Sequence, residues 1–142
     1  MQDIINQLNE GGYSCVIANR GETRTFSQPG VADLFALLKT DPDFMKGASI
    51  ADKVIGKGAA ALMILGGVTQ VYTHRISESA LSLFQTTGID VEYKELVPFI
   101  MNRDRSGWCP VETLCQREQS PDAILPLIEE FINKMSIWKQ AR

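Results

Sequence analysis

The stretch "SIADKVIGKGAAALMILGG", residues 49–67, invites two readings at once. Gly56-Lys57-Gly58 hints at a loop that grips phosphate, while the apolar remainder suits a helix packed on a sheet. A Walker-type loop needs G-x-x-x-x-G-K-[S/T], so that glycine amides wrap the phosphates and a hydroxyl holds magnesium. Counting back from Gly56-Lys57 puts Ala51 at the first glycine position, and Gly58 stands where the hydroxyl must be. The dinucleotide pattern G-x-G-x-x-G fails too, because three alanines follow Gly58. The stretch is therefore read as a brief strand over 48–51 and a helix from about Lys53 to Leu65, closed by Gly66-Gly67. Asp52 becomes the N-cap of that helix, accepting amides of the first turn. Ile55, Ala59, Leu62 and Met63 form its apolar face. Gly56 and Gly58 each cost about 0.5 to 1 kcal/mol relative to alanine inside a helix. Two so close together point to tight packing against another backbone, or to a ligand lying on that turn.

On the amino-terminal side, Ile4, Ile5 and Leu8 recur at helical spacing before Gly11-Gly12, and "YSCVIA" (13–18) with "ETRTF" (22–26) reads as a hairpin through Gly21. "VADLFALLK" (31–39) puts Leu34, Leu37 and Leu38 on one helical face, and "TDPDF" is read as a turn. On the carboxyl-terminal side come a strand over 68–74 and a helix over 77–88 with Ser77 as its cap, then a strand over 89–93. Strands alternating with helices between residues 48 and 93 predict βαβ crossovers and a partly parallel sheet. The final segment, 121–142, reads as one helix on the spacing of Ile124, Ile128, Phe131, Ile132 and Met135, with Pro126 disturbing its first turn. With no repeat or linker, residues 1–142 form one domain.

Composition narrows the function. Charged residues make up 22% of the 142 residues, and the net charge is −3. That balance argues against a nucleic-acid partner, which would need a basic stripe. No apolar run reaches the roughly 18 residues of a membrane span, and "MQDIINQLNEGG" does not read as a signal peptide. Three cysteines, Cys15, Cys109 and Cys115, are a poor disulfide framework. Reduced thiols and a cytoplasmic location are the expectation.

"GASIADKVIGKGAAAL", "ISESAL" and "IMNRDRSGWCPVE", in that order, resemble the signature segments of an uncharacterised prokaryotic domain family with a cytidine-deaminase-like fold. The resemblance spans about residues 13 to 115 and implies a three-layer α/β/α sandwich with a mixed sheet. Active members of the wider deaminase group hold zinc at two adjacent helix starts, through H-x-E and P-C-x-x-C, with the Glu shuttling protons. Here the first start reads Asp52-Lys53-Val54, and the two cysteine positions of the second are Ser77 and Ala80. A zinc ion needs three or four Cys, His or carboxylate ligands, so neither metal nor cofactor is expected. What the resemblance leaves is a cleft between two helix N-termini, a setting that favours an anion or a polar oxygen. Asp52, Lys53, Lys57 and Ser77 are its candidate ligand-binding residues, joined by Arg103 from the loop "NRDRSGW".

A second chemistry is open in "NRDRSGWCPVETLC". Pro110 suits the first position of a helix, which makes Cys109 its N-cap and puts Glu112 at the third position. A helix N-terminus lowers a thiol's pKa, so Cys109 is a candidate nucleophile, with Glu112 or Asp52 as proton acceptor. Cys115 lies about 240° further round that helix, so neither a shared metal nor a local disulfide with Cys109 is favoured, and Cys15, in an apolar strand, is read as core. His74, the one histidine, is read as a surface residue at a strand end. Trp138 and Ile137 either cover the sheet or meet a second subunit in a homodimer. The sequence thus carries two hypotheses. The first is a zinc-free protein that binds or acts on a small polar or anionic molecule, and the second is a thiol-dependent enzyme.

Overall fold

The computed structural model describes residues 2–27, 31–100, 114–116 and 118–140, and the side chains of 135–140 are not among those described. Strands β1 (Cys15–Asn19) and β2 (Glu22–Phe26) form the expected hairpin. Its two corner residues, Arg20 and Gly21, have φ of 52° and 81°. Positive φ at both is what a type I′ turn demands, and that turn matches the twist of paired strands. β1 also pairs antiparallel with β3 (Ser49–Ile55). From there the sheet becomes parallel, through β4 (Gln70–Ser77) and β5 (Asp90–Val97), in the order β2-β1-β3-β4-β5. Among the described residues, helices α1 (Gln2–Gly11), α2 (Ala32–Thr40), α3 (Pro42–Met45), α4 (Lys57–Gly66), α5 (Glu78–Gln85) and α6 (Pro121–Gln140) complete an α/β protein. No helix among the described residues is long and apolar enough to cross a membrane.

The two sheet faces hold different cores. Ile4, Ile5 and Leu8 of α1 pack with Val16, Ala51 and Tyr72. Ile17, Ile50 and Val71, each one residue along from those, pack with Leu34, Leu62, Leu83, Phe84 and Ile128 of the other helices. This one-residue offset is the period-2 alternation of a pleated strand. α4 lies in the middle of the second core, against α2, α5 and α6 as well as β3. A helix enclosed in this way must be apolar all round, and "AAALM" of α4 is buried throughout.

The stretch that opened the sequence reading folds differently at its start. β3 does not stop at Ala51: it continues through Asp52, Lys53 and Val54 to Ile55, in register with β4 as far as Ile76. α4 therefore begins at Lys57, not Lys53, and its N-cap is Gly56, with no side-chain cap hydrogen bond. The role assigned to Asp52 as N-cap is overturned by this shift. The reason is tertiary: β4 offers a parallel partner that extends β3, and Val54 and Ile55 suit a strand better than a helix. At the far end Gly67, with φ of 82°, closes α4 in the left-handed conformation expected of a glycine stop. Similar partnering lengthens β5 to Val97, and "TDPDF" winds into the short helix α3 with Pro42 at its first turn. α6 spans Pro126 without ending.

Candidate functional site

Among the described residues the buried polar or charged side chains are Asp52, Lys57, Thr73 and Ser77. Asp52 and Thr73 stand midway along β3 and β4, and Lys57 and Ser77 lie further on, where the strands give way to the helices that follow. Lys57 and Ser77 are thus at the carboxyl ends of parallel strands, where ligands bind in open α/β sheets. The amino ends of the same strands carry Ile50, Ala51, Val71 and Tyr72, all buried.

Asp52 and Thr73 stand opposite each other in the parallel register. Each turns its side-chain oxygen onto its own strand: Asp52 Oδ1 accepts the Val54 amide at 3.2 Å, and Thr73 Oγ1 accepts the Arg75 amide at 3.3 Å. Local side-chain bonds of this kind compete with regular strand geometry. Beyond them the alternation slips by one position in both strands, because Ile55 and Ile76 share the core of Ile50 and Val71 despite an odd spacing. The slip keeps two large apolar residues inward just before the chain turns into α4 and α5.

Beneath this level Asp52 faces Cys15, its register partner on β1. Burial raises the Asp52 carboxyl from 3.8 to about 7, against the smaller opposing pull of the Val54 amide, the Cys15 thiol and the Lys53 amide. Burial likewise lifts the Cys15 thiol well above its ordinary value, with the Asp52 charge adding to it. Cys15 is thus a protonated core thiol, as its apolar strand implies.

Lys57 is the first residue of α4 and is only 3% exposed. Its Nζ donates to the Gln116 carbonyl at 3.2 Å, which ties α4 to the 114–116 segment. A cation in the first turn opposes the positive end of the helix dipole, by about 0.3 to 1 kcal/mol at exposed sites. Ser77 ends β4 and caps α5 as the sequence predicts, its Oγ accepting the Ala80 amide at 3.2 Å. The Ser79 hydroxyl lies 3.2 Å from it.

The structure separates Lys53 from this group. Lys53 and His74 lie between the pairs Asp52–Thr73 and Val54–Arg75, and His74 and Lys94 between Thr73–Tyr93 and Arg75–Glu95, which makes a row across β3, β4 and β5. The row lies on the α1 face, where His74 Nε2 meets Asn9 Oδ1 at 2.7 Å and the imidazole stands edge-on to Tyr72. Burial, then the charges of Lys94 and Lys53, hold His74 below its ordinary value. Lys53 and His74 therefore do not join Lys57 and Ser77. Cys109, Glu112 and Arg103 lie outside the described residues, as do the side chains of Ile137 and Trp138. No three His, Cys, Asp or Glu among the described residues come together as a metal-binding set.

Two features escaped the sequence reading. Thr73 was legible only as a polar residue in an apolar strand, and the Cys15–Asp52 contact depends on a register that no local pattern encodes. A separate cleft of about 150 Å³, lined by Asn19, Arg20, Glu22, Arg24, Asp41, Asp43 and Phe44, lies by the hairpin turn. Ala18 pairs with Ser49 there, so this cleft is at the opposite end of β3. Its central cation is engaged within the fold, since Arg24 bonds Glu22 at 2.6 Å and Asp41 at 2.9 Å and lies 3.9 Å over the Phe44 ring.

A five-stranded mixed sheet, with buried polar groups running from the middle of its parallel strands β3 and β4 to the helix starts beyond them, defines an α/β domain with one distinctive pole. The chain belongs to the TM1506 family, a domain of unknown function (DUF1893), whose model matches residues 3–132. It is similar to the crystal structure of a DUF1893 family protein (TM1506) from Thermotoga maritima, with a TM-score of 0.83 and 22% identity over 91% of this chain and 87% of that one. At that identity the likeness speaks for the fold. No curated protein matches the chain.

Proposed function

We propose that this protein is a zinc-free small-ligand domain, which binds or acts on a small polar or anionic molecule where α4 and α5 begin. The observation that carries the reading is Lys57, a cation buried at the first position of α4. Neither helix propensity nor apolar packing calls for a charge there, and departures from local preference concentrate at functional sites. The amides at the starts of α4 and α5 add their partial positive charge, so a ligand oxygen is the group this pole suits.

The family resemblance supports a deaminase-like arrangement, in which two neighbouring helix starts would carry zinc ligands. With α4 starting at Lys57, those starts read Lys57-Gly58-Ala59 and Ser77-Glu78-Ser79-Ala80. Neither offers histidine or cysteine, Ser77 is spent on capping α5, and Asp52 faces Cys15. These residues do not fit zinc. Lys57 supplies the positive charge of this pole instead. Cys15 and Cys115 are buried thiols, in keeping with the reducing, cytoplasmic setting we infer. The thiol-enzyme hypothesis rests on Cys109 and Glu112, and no observation among the described residues favours it.

Native mass spectrometry of the purified protein, beside a melting-temperature screen against phosphate, carboxylate and nucleotide anions, tests the proposal. The expected result is a bound small molecule or a stabilising anion whose effect falls at least tenfold in affinity in Lys57→Met. Retention of the effect in a folded Lys57→Met protein, or no response to any anion class, would overturn it. Elemental analysis showing stoichiometric zinc would overturn it as well.

A further inference from the structure

β5 ends the sheet: it pairs with β4 on one side and with no strand among the described residues on the other. Its sequence, "DVEYKELV", is exposed along most of its length, with Tyr93 at 39% and Leu96 at 42%. Such an edge presents a row of backbone amides and carbonyls open to another strand. We propose that the outer edge of β5 is a homodimer interface, in which two copies pair antiparallel about Tyr93 and continue one sheet through both subunits.

The register follows from parity and charge. Residues directly opposite in an antiparallel pair must point to the same face, so a two-fold axis has to pass through a residue rather than between two. An axis at Lys94 sets lysine against lysine, and an axis at Glu92 or Glu95 sets glutamate against glutamate. Like charges directly opposite are destabilising. An axis at Tyr93 sets the two tyrosines together and brings Glu92 against Lys94 of the partner subunit, twice. Within the chain, Glu92 and Lys94 are exposed and form no ion pair among the described residues, whereas Glu95 is already held by Arg75 at 3.3 Å. The same register extends the row Lys53, His74, Lys94, which contains no carboxylate, with Glu92 of the partner subunit. An axis at Val91 sets Asp90 against Glu92, and one at Leu96 sets Glu95 against Val97 and Lys94 against Pro98, so Tyr93 is the axis that pairs opposite charges with no like pair beside them.

Sedimentation velocity over a wide concentration range, on the wild type and on charge variants, tests this directly. A reversible dimer is expected. Glu92→Lys and Lys94→Glu should each weaken it about tenfold, and the double exchange should restore it. In a Cys109→Ser background, Tyr93→Cys should form an intermolecular disulfide under mild oxidation, and Leu96→Cys, far from the axis, should not. A chain that stays monomeric, single variants without effect, a double exchange that fails to restore pairing, or cross-linking through residue 96 in place of 93 would each overturn the proposal. The cross-linking arm reads the register even if a charge variant folds poorly.

Discussion

The two halves of β3 and β4 make an instructive contrast. Their amino halves pair Ile50 with Val71 and Ala51 with Tyr72, apolar on both faces and enclosed between two cores. This is how parallel strands buried on both sides ordinarily read. One residue further on, the same strands pair Asp52 with Thr73, and the helices that follow begin at the buried Lys57 and the buried Ser77. Packing explains the first half fully. It does not explain the second, where burial works against the carboxyl of Asp52 and the dipole of α4 works against Lys57. The contrast supports the proposal of a ligand site at the carboxyl pole, with the amino pole serving stability.

The largest effect expected from that contrast is a pH dependence centred on Asp52. Its folded pKa of about 7 lies above the ordinary 3.8, so the folded state binds the proton more tightly than the unfolded one. The stability it contributes is full below about pH 4 and is lost as the pH rises through 7, on the order of 4 kcal/mol in total. Urea titrations across that range should show the decline, and Asp52→Asn should flatten it. An unchanged slope in the variant would show that the carboxyl is hydrated in the folded state and that the two halves are electrostatically alike.

Next in size is Ile50→Ala, a truncation in the amino half. Loss of a fully buried isoleucine should cost about 2 to 5 kcal/mol in chemical denaturation, and leave the response to anions unchanged once corrected for folded fraction. A loss of anion response in a folded Ile50→Ala protein would blur the division between the poles. The smallest effect belongs to Ser77→Ala, which removes the α5 cap and should lower stability by about 1 kcal/mol. A cost several times larger would mean that the Ser77 hydroxyl also holds together the carboxyl pole.

What the sequence made legible was local. The hairpin turn, the Ser77 cap and the glycine stop after α4 each depend on a few neighbouring residues, and each lies where its residue types predict. The start of α4 was not local. Whether Lys53 to Ile55 wind or extend is decided by β4, twenty-one positions later in the register, and that choice moved Asp52 from a helix cap to the interior of a strand. Extending the strand also put alternate residues on opposite faces, which sent Lys53 to the α1 side beside His74 and left Lys57 with Ser77 at the pole. Thr73 and the Cys15–Asp52 contact were hidden for the same reason, since both exist only once three strands align. Ser77 was legible as a site candidate because its residue type marks a helix start, whereas Lys57 drew notice through Gly56-Lys57-Gly58, inside a helix that the sequence began at Lys53.

We propose that a ligand meets this protein at the starts of α4 and α5. Amide chemical-shift mapping during titration with the most stabilising anion tests it most directly. The account predicts that the largest shifts fall on residues 56–60 and 77–81 in the wild type and vanish in Lys57→Met. Shifts centred on Asn19, Arg20 and Asp43 at the hairpin cleft, or spread without a centre, would contradict it.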